Sequence, residues 1–398
     1  MAVIFEELAH NIVTRVDPKT TDHKIYVGLE HLDTDSLQIK RKGTPTDVKG
    51  EKLLVKNGDI IFGKRRVYQR KVGIADFNGI CSAHSMVLRP KEDTILKELF
   101  PFFLQSDQFM KRALQISVGS LSPTINWKTL AKQEFTIPAK SDQSSIATLL
   151  WAAEDCIVKN ERFVEEAERA KQVLMRELFS KGIGHLEFHN TEVGMIPKSW
   201  QIKKLQSLVK DHNSGVYKKK ELYGEGCNIV GVADLYKIHH IGGQEFRRVP
   251  LSEEEKIKFT LKNNDLLYNE SSLVKEGIAR TLYVTEKGAG TAFAWHTRRY
   301  SIDQDKVLSI FLYYYLEGPG RKHMLRKCIQ TAITGINTTD YFACPILIPP
   351  PSEQRQIAAI LDQCDGMIAI AHENLISIKA LKMKLINQIF SEGIPNGI

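Results

Sequence analysis

IPPPSEQRQIAAILDQCDGMIAIAHENLISIKALKMKLINQIFSEGI, residues 348–394, repeats an earlier stretch of the same chain without a gap. The earlier copy is IPAKSDQSSIATLLWAAEDCIVKNERFVEEAERAKQVLMRELFSKGI, residues 137–183, at an offset of 211 residues. Weaker matches continue upstream, where VKNGDIIF (55–62) pairs with LKNNDLLY (261–268) and YVGLEHL (26–32) pairs with IVGVADL (229–235). Because the offset stays nearly constant along the chain, the sequence predicts two copies of one structural unit.

Each quoted stretch predicts a long helix. Ser141 and Ser352 follow prolines and are predicted N-caps, while Gly182 and Gly393 are predicted C-terminal caps. Between the caps, seam residues recur at alternating spacings of three and four, which is the pattern of a coiled coil. In the first copy the seam comprises Ile146, Leu150, Ala153, Ile157, Asn160, Val164, Ala167, Lys171, Leu174 and Leu178. In the second copy it comprises Ile357, Leu361, Cys364, Ile368, Ala371, Leu375, Ile378, Lys382, Leu385 and Ile389.

Neither predicted helix can bury its stripe alone, so the sequence favours a coiled coil of the two helices that joins two globular bodies. The alternative is that each helix packs on its own body. Lys171 and Lys382 occupy the same seam position in the two copies. The favoured interpretation lays their alkyl stems along the seam with the ammonium groups in water. The alternative is a position that fixes the register or docks a partner.

The stretch NGDIIFGKRRVYQRK, residues 57–71, has the glycine and lysine spacing of a phosphate-binding loop, but Arg65 stands where Ser or Thr must hold magnesium. Residues 60–62, Ile-Ile-Phe, predict a strand instead of a pliant loop. In the second copy the same strand is followed by Asn269-Glu270 where the first has Gly63-Lys64. The strand is therefore predicted to be shared scaffold, and GKRRVYQRK is the segment that the first copy displays on it.

Charge divides the 398-residue chain in the same way as the repeat. Residues 1–140 hold 22 basic against 16 acidic side chains and residues 184–350 hold 23 against 18, whereas the two helical segments are mildly acidic. Two separate basic bodies favour two contacts with a polyanion. The six cysteines form no C-x-x-C pair, so we expect neither a zinc site nor disulfides. No apolar run reaches the ~18 residues of a membrane span, and the acidic N-terminus does not resemble a secretory signal, which predicts a cytoplasmic protein.

Two basic bodies alternating with two similar long helices, each opened by IP…S(D/E)Q, resemble the specificity subunit of type I restriction-modification systems. The resemblance covers essentially the whole chain, and IPPPSEQRQIAAILDQCD and GDIIFGKRRVYQRKVGIADFNGICSAH carry it. It implies an α+β fold in which two target-recognition domains are separated by an antiparallel coiled coil and related by a pseudo-two-fold axis. The expected divisions are a first recognition domain (1–138), a central helix (139–184), a second recognition domain (185–349) and a C-terminal helix (350–398).

The resemblance also implies the function. Each domain would read one half of an asymmetric bipartite site in double-stranded DNA, while the coiled coil would set the spacer and dock two methyltransferase subunits, which restriction-translocase subunits join. S-adenosylmethionine, ATP and magnesium are then expected on those partners, with no cofactor, metal or catalytic residue in this chain. The sequence also lacks the Asn/Asp-Pro-Pro-aromatic motif of a methyltransferase. The alternatives are an enzyme with an unrecognised site, a coiled-coil scaffold that binds no nucleic acid, and an orphan specificity subunit.

The candidate DNA contacts are clusters of basic, aromatic and small residues. Since a guanidinium can donate two hydrogen bonds to guanine, Arg65, Arg66, Arg298 and Arg299 rank above the lysines for base specificity. In the first domain the candidates are Lys64, Arg65, Arg66, Tyr68, Arg70, Lys71, Ser117, Gly119, Ser120 and Ser122. In the second domain they are Tyr217, Lys218, Lys219, Lys220, Arg280, His296, Arg298, Arg299, Thr331 and Thr334.

Overall fold

The computed structural model describes residues 1–272, 277–328 and 334–392. The chain forms two compact units, Met1–Arg162 with His372–Ile398, and Phe163–Ala371. Both boundaries fall inside the long helices, so each unit contains a globular body and a part of each helix. We call residues 1–139 the first body and residues 182–350 the second body.

The first body is built from short strands and helices. Its elements are β1 (Ala2–Ile4), α1 (Phe5–Leu8), β2 (Ala9–Ile12), β3 (Arg15–Val16), β4 (Tyr26–Val27), β5 (Lys52–Val55), β6 (Ile60–Gly63), β7 (Val72–Ile74), β8 (Gly79–Cys81), β9 (Ser85–Pro90), α2 (Phe100–Gln105), α3 (Asp107–Gln115), α4 (Trp127–Leu130) and β10 (Glu134–Thr136). The strands form two four-stranded sheets, β2-β9-β6-β7 and β3-β5-β8-β4, and a β1-β10 pair. The helix α5 (Lys140–Lys181) follows.

The second body repeats this plan with insertions. Its elements are β11 (Phe188–Thr191), β12 (Gly194–Pro197), β13 (Gln201–Lys204), β14 (Val209–Ser214), β15 (Cys227–Val230), β16 (His240–Ile241), β17 (Arg247–Val249), α6 (Glu253–Phe259), β18 (Leu266–Asn269), β19 (Ser271–Ser272), β20 (Thr281–Val284), β21 (Ala292–Phe293), β22 (Thr297–Ile302), α7 (Ser309–Glu317), α8 (Pro319–Leu325), β23 (Thr334–Gly335), α9 (Thr338–Phe342) and β24 (Pro345–Ile348). Its sheets are β14-β22-β18-β20-β16, β17-β15-β21, β13-β24, β11-β12 and β19-β23. The helix α10 (Pro351–Glu392) completes the described chain.

Strand pairing confirms the internal repeat. The antiparallel order β2-β9-β6-β7 in the first body reappears as β14-β22-β18-β20 in the second. The parallel pair β4 and β8, with Tyr26 beside Ile80, reappears as β15 and β21, with Ile229 beside Ala292. The shared strand is therefore β6 in one copy and β18 in the other, as the DIIF and DLLY match predicted.

The helix ends belong to the cores of the bodies. In the first unit, Ile146 and Leu150 of α5 and Phe390 of α10 join a core rich in phenylalanine. In the second unit, Leu178 of α5 and Leu361 of α10 join a corresponding core. Burial of these side chains contributes roughly 1.5–3 kcal/mol each relative to exposure. Each long helix thus begins in the core of its own body and ends in the core of the other body, so the alternative in which each helix packs on its own body describes only the helix starts.

A buried glutamine explains the shared IP…S(D/E)Q signature. The Gln143 side chain accepts a hydrogen bond from Leu96 N at 2.8 Å and donates to Thr94 O at 3.0 Å. Its counterpart in the second copy, Gln354, accepts from Leu308 N and donates to Pro349 O, each at 2.9 Å. Each glutamine satisfies buried backbone groups where a long helix begins, so it fixes the helix to its own body.

The helix starts differ slightly from the prediction. The two helices begin at Lys140 and Pro351, so Ser141 and Ser352 lie in the first turn and are not the N-caps. Proline suits the first helical position because its missing N–H has no intrahelical partner there. Gly182 follows α5 with φ of +64° and donates its N–H to Leu178 O, as a C-terminal cap should. Gly393 lies outside the described residues.

The predicted seam faces inward, since all of its positions in both helices are buried or half-buried. The two helices run antiparallel in each unit. In the first unit, Glu161 of α5 accepts from Lys379 of α10 at 2.6 Å, while in the second Lys171 pairs with Asp365. Among the described residues, no helix is long and apolar enough to cross a membrane.

The expectation that the seam lysines reach water is wrong. Lys382 is 2% exposed, and its Nζ donates to Glu154 Oε2 at 2.8 Å. Lys171 is half-buried and pairs with Asp365, with its ammonium 5.4 Å from the centre of the Tyr314 ring. The offset of 211 residues relates Lys171 to Lys382 and Glu154 to Asp365, so the repeat encodes the same buried ion pair twice. An ammonium inside a seam is retained when a carboxylate compensates its charge, and the carboxylates lie opposite.

Candidate nucleic-acid interface

In the first body, the two segments predicted to contact DNA lie side by side. The basic segment after β6 and the loop of residues 117–124 are joined by backbone hydrogen bonds. Arg66 N donates to Pro123 O at 2.7 Å, Ile125 N donates to Lys64 O at 3.0 Å, and Arg65 forms a β-bridge with Thr124. One continuous surface therefore carries both sets of candidates, although they are distant from each other in sequence.

The second body holds the corresponding segments in the same way. Ile336 N donates to Glu270 O at 3.1 Å, which is the repeat counterpart of the bond between Ile125 and Lys64. Strand β19 pairs with β23, so Ser271 lies opposite Gly335 as Arg65 lies opposite Thr124. The backbone of Thr334 lies in β23, whereas Thr331 lies outside the described residues. The predicted equivalence of the two loops is confirmed at the positions that the structure describes.

In the basic segment after β6, the candidates that remain available to a ligand are Lys64, Arg65, Arg66 and Tyr68. Tyr68 and Arg66 are exposed, and Arg66 adopts a left-handed φ of +57° immediately before the short turn Val67–Gln69. The Arg65 guanidinium lies 3.2 Å from His84 Nε2. None of the three basic side chains has an ion pair with a described carboxylate. They form a positive surface that a phosphate backbone would neutralise.

Positive charge at this surface also changes the ionisation of its members. Burial and then nearby Arg65 lower the pKa of His84, and Lys64 and Lys52 add to the effect. Burial and then Arg15 lower the pKa of Lys64. Like charges raise the free energy of each protonated form, so an anion bound here would shift both pKa values back upward.

Arg70 and Lys71 serve the scaffold. Arg70 donates to Asp35 Oδ1 at 2.8 Å, to Asp107 Oδ1 at 2.9 Å and to Gln105 O at 2.6 Å. Lys71 donates from Nζ to Leu29 O at 2.6 Å. Three acceptors occupy the fork of the Arg70 guanidinium, which leaves it no free pair of donors for a base. These interactions favour a structural role for both residues.

The loop of residues 117–124 exposes apolar side chains that sequence reasoning passed over. Ser120 is exposed, Gly119 has a φ of +110°, and Ser117 Oγ is used internally, since it donates to Leu114 O at 2.7 Å. Ser122 Oγ lies 3.5 Å from Arg66 Nε. Leu121 is 91% exposed and Val118 is also largely exposed. The sequence signal that could have revealed this surface is the presence of Val118 and Leu121 in a Ser-Gly loop, because apolar side chains exposed to solvent often mark a contact surface.

In the second body the candidates that are exposed to solvent are Tyr217, Lys219, Lys220 and His296. Lys218 differs from its neighbours, since its Nζ lies 2.8 Å from Glu255 Oε2. Hydrogen bonding to Lys218 is the main cause that lowers the pKa of Glu255. Lys219 and Lys220 form no ion pair with a described residue, so they can meet phosphates.

The three arginines among the second-body candidates are held in ion pairs. Arg280 Nε lies 3.0 Å from Glu317 Oε2, and Arg298 Nε lies 2.6 Å from Glu270 Oε1. Arg299 is buried, donates to both oxygens of Asp265 at 2.8 and 3.1 Å, and also pairs with Asp211.

The first body has a similar bidentate pair, in which the aspartate is buried and the arginine is partly exposed. Arg89 donates to both oxygens of Asp59 at 2.8 and 3.1 Å, and Asp59 is the repeat counterpart of Asp265. In both bodies this aspartate pairs with an arginine of the neighbouring strand, β9 or β22, which favours a structural role for Arg299. The high rank of Arg298 and Arg299 as predicted base readers is not supported by these geometries, because their donors are already engaged.

Sequence reasoning also missed Trp295. Its side chain is 50% exposed, and its ring centre lies 5.4 Å from that of Tyr217 and 4.0 Å from that of His296.

Burial and then Arg298 lower the pKa of His212, another histidine of the second body. Within the described parts of the chain, no group of His, Cys, Asp and Glu side chains is arranged to hold a metal ion.

Two equivalent bodies that display different polar loops, with two long antiparallel helices, define a protein built for bipartite recognition. The family model described as the type I restriction modification DNA specificity domain matches residues 46–168 and 197–380. The chain belongs to this family, which confirms the resemblance drawn from its helices and first body.

Individual relatives agree. The type I restriction enzyme MjaVIII specificity subunit of Methanocaldococcus jannaschii is 26% identical over 344 residues, which cover 84% of this chain and 76% of that protein. The StySPI specificity subunit of Salmonella potsdam is 26% identical over 307 residues, covering 75% of this chain and 64% of that protein.

Solved structures share the fold. A chain from a study of complex assembly and conformational transition of the type I R-M system has 18% identity and a TM-score of 0.59, covering 99% of this chain and 98% of that chain. The S subunit of a type I restriction-modification system from M. genitalium has 12% identity and a TM-score of 0.57, covering 98% and 96%. The predicted α+β architecture with two bodies and a coiled coil is confirmed.

Proposed function

We propose that this chain is the sequence-reading subunit of a type I restriction-modification complex, in which each body reads one half of a bipartite site in double-stranded DNA. The observation that carries the proposal is that the two bodies hold equivalent loops in the same way. The same hydrogen bond ties Lys64 to Ile125 and Glu270 to Ile336, yet the side chains presented around it differ between the bodies. One scaffold with two different surfaces reads two different half-sites, so the target is asymmetric.

The first body would approach DNA with Lys64, Arg65 and Arg66, beside the loop of residues 117–124. The second would use Lys219, Lys220 and the aromatic residues around Trp295. Phosphate contacts by exposed cations supply affinity, whereas side chains that reach base edges supply specificity. The antiparallel coiled coil would set the number of unread base pairs between the half-sites.

The long helices are the proposed docking site for two methyltransferase subunits. Each unit leaves large apolar helix residues in solvent, on faces other than the seam. These are Ile376 and Leu381 in the first unit and Phe163, Val173, Met367 and Ile370 in the second. Exposed apolar side chains of this kind mark surfaces that a partner covers. S-adenosylmethionine, ATP and magnesium would reside on the methyltransferase and restriction-translocase subunits, so this chain would itself catalyse nothing and act in the cytoplasm.

Sequencing of the methylated genome with and without this gene tests the function. The expected result is that an asymmetric bipartite methylated motif disappears on deletion and returns when the gene is restored. A methylome that does not change, together with duplex binding that is weak and insensitive to salt, would favour the coiled-coil scaffold that binds no DNA. Affinity that falls steeply with salt is the signature of phosphate neutralisation.

A further inference from the structure

Tyr217 and Trp295 are placed side by side by a rigid piece of backbone. Val216 N donates to Phe293 O at 3.0 Å, and Trp295 N donates to Val216 O at 2.9 Å. Gly215 permits this approach, because a Cβ there would clash with Ala294 O. Two segments that are distant in sequence are thus held in register directly beneath the two rings. The rings therefore belong to an ordered surface of the second body.

Both rings face solvent although each is a large apolar group. Tyr217 is 66% exposed and Trp295 is 50% exposed, and the rings meet edge to face. The His296 ring stacks on Trp295, and His296 adopts a left-handed φ of +69°. A left-handed conformation at a residue other than glycine is strained, and such strain concentrates at functional sites. The cluster has the composition of a contact surface and not of a core.

The repeat shows that the tryptophan is not part of the shared scaffold. Thr297 lies opposite Asn269 in the second body as Ser85 lies opposite Gly63 in the first. By this register His296 corresponds to His84, and Trp295 corresponds to Ala83. The first body folds with a methyl group at the position where the second presents an indole. The fold does not require the indole, which points to a role in what the second body binds.

Charge identifies the class of ligand. Lys219 and Lys220 follow Tyr217 in the chain, are exposed, and have no ion pair with a described residue. A surface of unpaired cations next to exposed aromatic rings fits a polyanion that also offers apolar groups. Duplex DNA is such a ligand, because phosphates flank bases that present thymine methyl groups or, where a step opens, ring faces.

We propose that Tyr217 and Trp295 make apolar contact with a base in the half-site read by the second body, and so determine its sequence preference. The inference rests on the proposed function. The shared chemistry is an aromatic surface against an apolar part of a base, either a methyl group in the major groove or a face at a partly unstacked step. Loss of an aromatic contact to a base lowers affinity by roughly 5- to 150-fold.

The test selects preferred sites from a random duplex pool with the full chain, as wild type and as Trp295→Ala, Tyr217→Ala and Trp295→Phe. Trp295→Ala gives the second body the residue that the first body has at Ala83, so the fold should persist. The expected result is lost preference at one or two adjacent positions of one half-site, with the other half-site unchanged and Trp295→Phe close to wild type. A Lys219→Ala/Lys220→Ala variant should instead reduce the salt dependence and keep the motif.

2-Aminopurine placed at the affected positions distinguishes the two sources of contact. A rise in its fluorescence on binding of wild type indicates a ring inserted at an unstacked step, whereas no rise with preference for thymine indicates the methyl group. The proposal is overturned if Trp295→Ala and Tyr217→Ala select the wild-type motif with wild-type affinity. If the wild type selects no motif at all, the proposed function itself fails, so the two failures are distinct.

Discussion

Replacing Lys382 by alanine should strongly destabilise the first unit. The Nζ of Lys382 lies 2.8 Å from Glu154 Oε2, 3.3 Å from Gln105 Oε1 and 3.4 Å from Asp35 O. Glu154 is 4% exposed. Without Lys382 its carboxylate would remain buried with no compensating charge.

The magnitude follows from that burial. Removing one partner of a buried ion pair costs about 3–5 kcal/mol, which is a large share of the ~5–15 kcal/mol that holds a domain folded. Replacing both partners by apolar residues, as in Lys382→Met with Glu154→Leu, should cost far less, because no charge is left unpaired. Lys379 is the matched control. It lies one turn away and pairs with Glu161, but it is half-exposed, so Lys379→Ala should cost at most ~1 kcal/mol.

Urea unfolding measures these differences, and hydrogen exchange of peptides around residues 376–390 assigns them to the first unit. A peptide that contains Lys171 provides the reference, since it belongs to the second unit. The expected order of destabilisation is Lys382→Ala, then the double variant, then Lys379→Ala. If Lys382→Ala is as mild as Lys379→Ala, the ammonium is not held in the seam and the reasoning is wrong.

Three further outcomes follow from the same contacts. Arg299→Ala should lower the free energy of unfolding by about 3–5 kcal/mol, because it leaves buried Asp265 unpaired. Arg65→Ala should leave the unfolding midpoint unchanged and cost ~1–3 kcal/mol in binding at one half-site. Urea titration and binding assays separate the two effects, and the reverse pattern would contradict the assignment. Burial and then the nearby cations lower the pKa of His84, and a bound phosphate would raise it. DNA affinity should therefore rise as pH falls through the bound-state pKa and level off below the lowered free-protein pKa, by up to about tenfold for each pKa unit between them. Affinity measured against pH in wild type and His84→Gln would show no difference if DNA binds elsewhere. Gly215→Ala should cost roughly 1–3 kcal/mol and weaken binding at the second half-site, because its Cβ would meet Ala294 O; unchanged stability and motif would show that the close approach is unimportant.

Sequence periodicity was a reliable guide to the parts of this chain that repeat. Local patterns predicted the long helices and the strand of residues 60–63. The offset of 211 residues predicted that the loops before Ile125 and Ile336 correspond. Helix starts were less well predicted, since proline at position 351 and its counterpart Lys140 enter the helix before the serines. A side chain at a helix start can act as a cap only if the backbone before it is not already helical.

Sequence patterns also located the clusters of candidate residues correctly but not the role of each member. Arg65 and Arg70 have the same composition around them, yet Arg70 faces Asp35 and Asp107 and Arg65 does not. The carboxylates that engage Arg70 lie far from it along the chain, one on either side, so no local pattern reveals them. Trp295 was overlooked for a related reason, because its partner Tyr217 is distant in sequence and exposure is a property of the folded surface.

The sequence by itself therefore determined the internal repeat, the coiled-coil seam and the family, because these depend on residue order and spacing within one segment. Only the tertiary structure decided which cations are free and which are neutralised, because that depends on carboxylates brought from elsewhere by the sheets. Lys171 and Lys382 in the seam illustrate both the sequence contribution and the tertiary contribution. Their matching positions were visible in the sequence, but their burial was not, since each ammonium is compensated by a carboxylate on the opposite helix, which belongs to the other copy of the repeat.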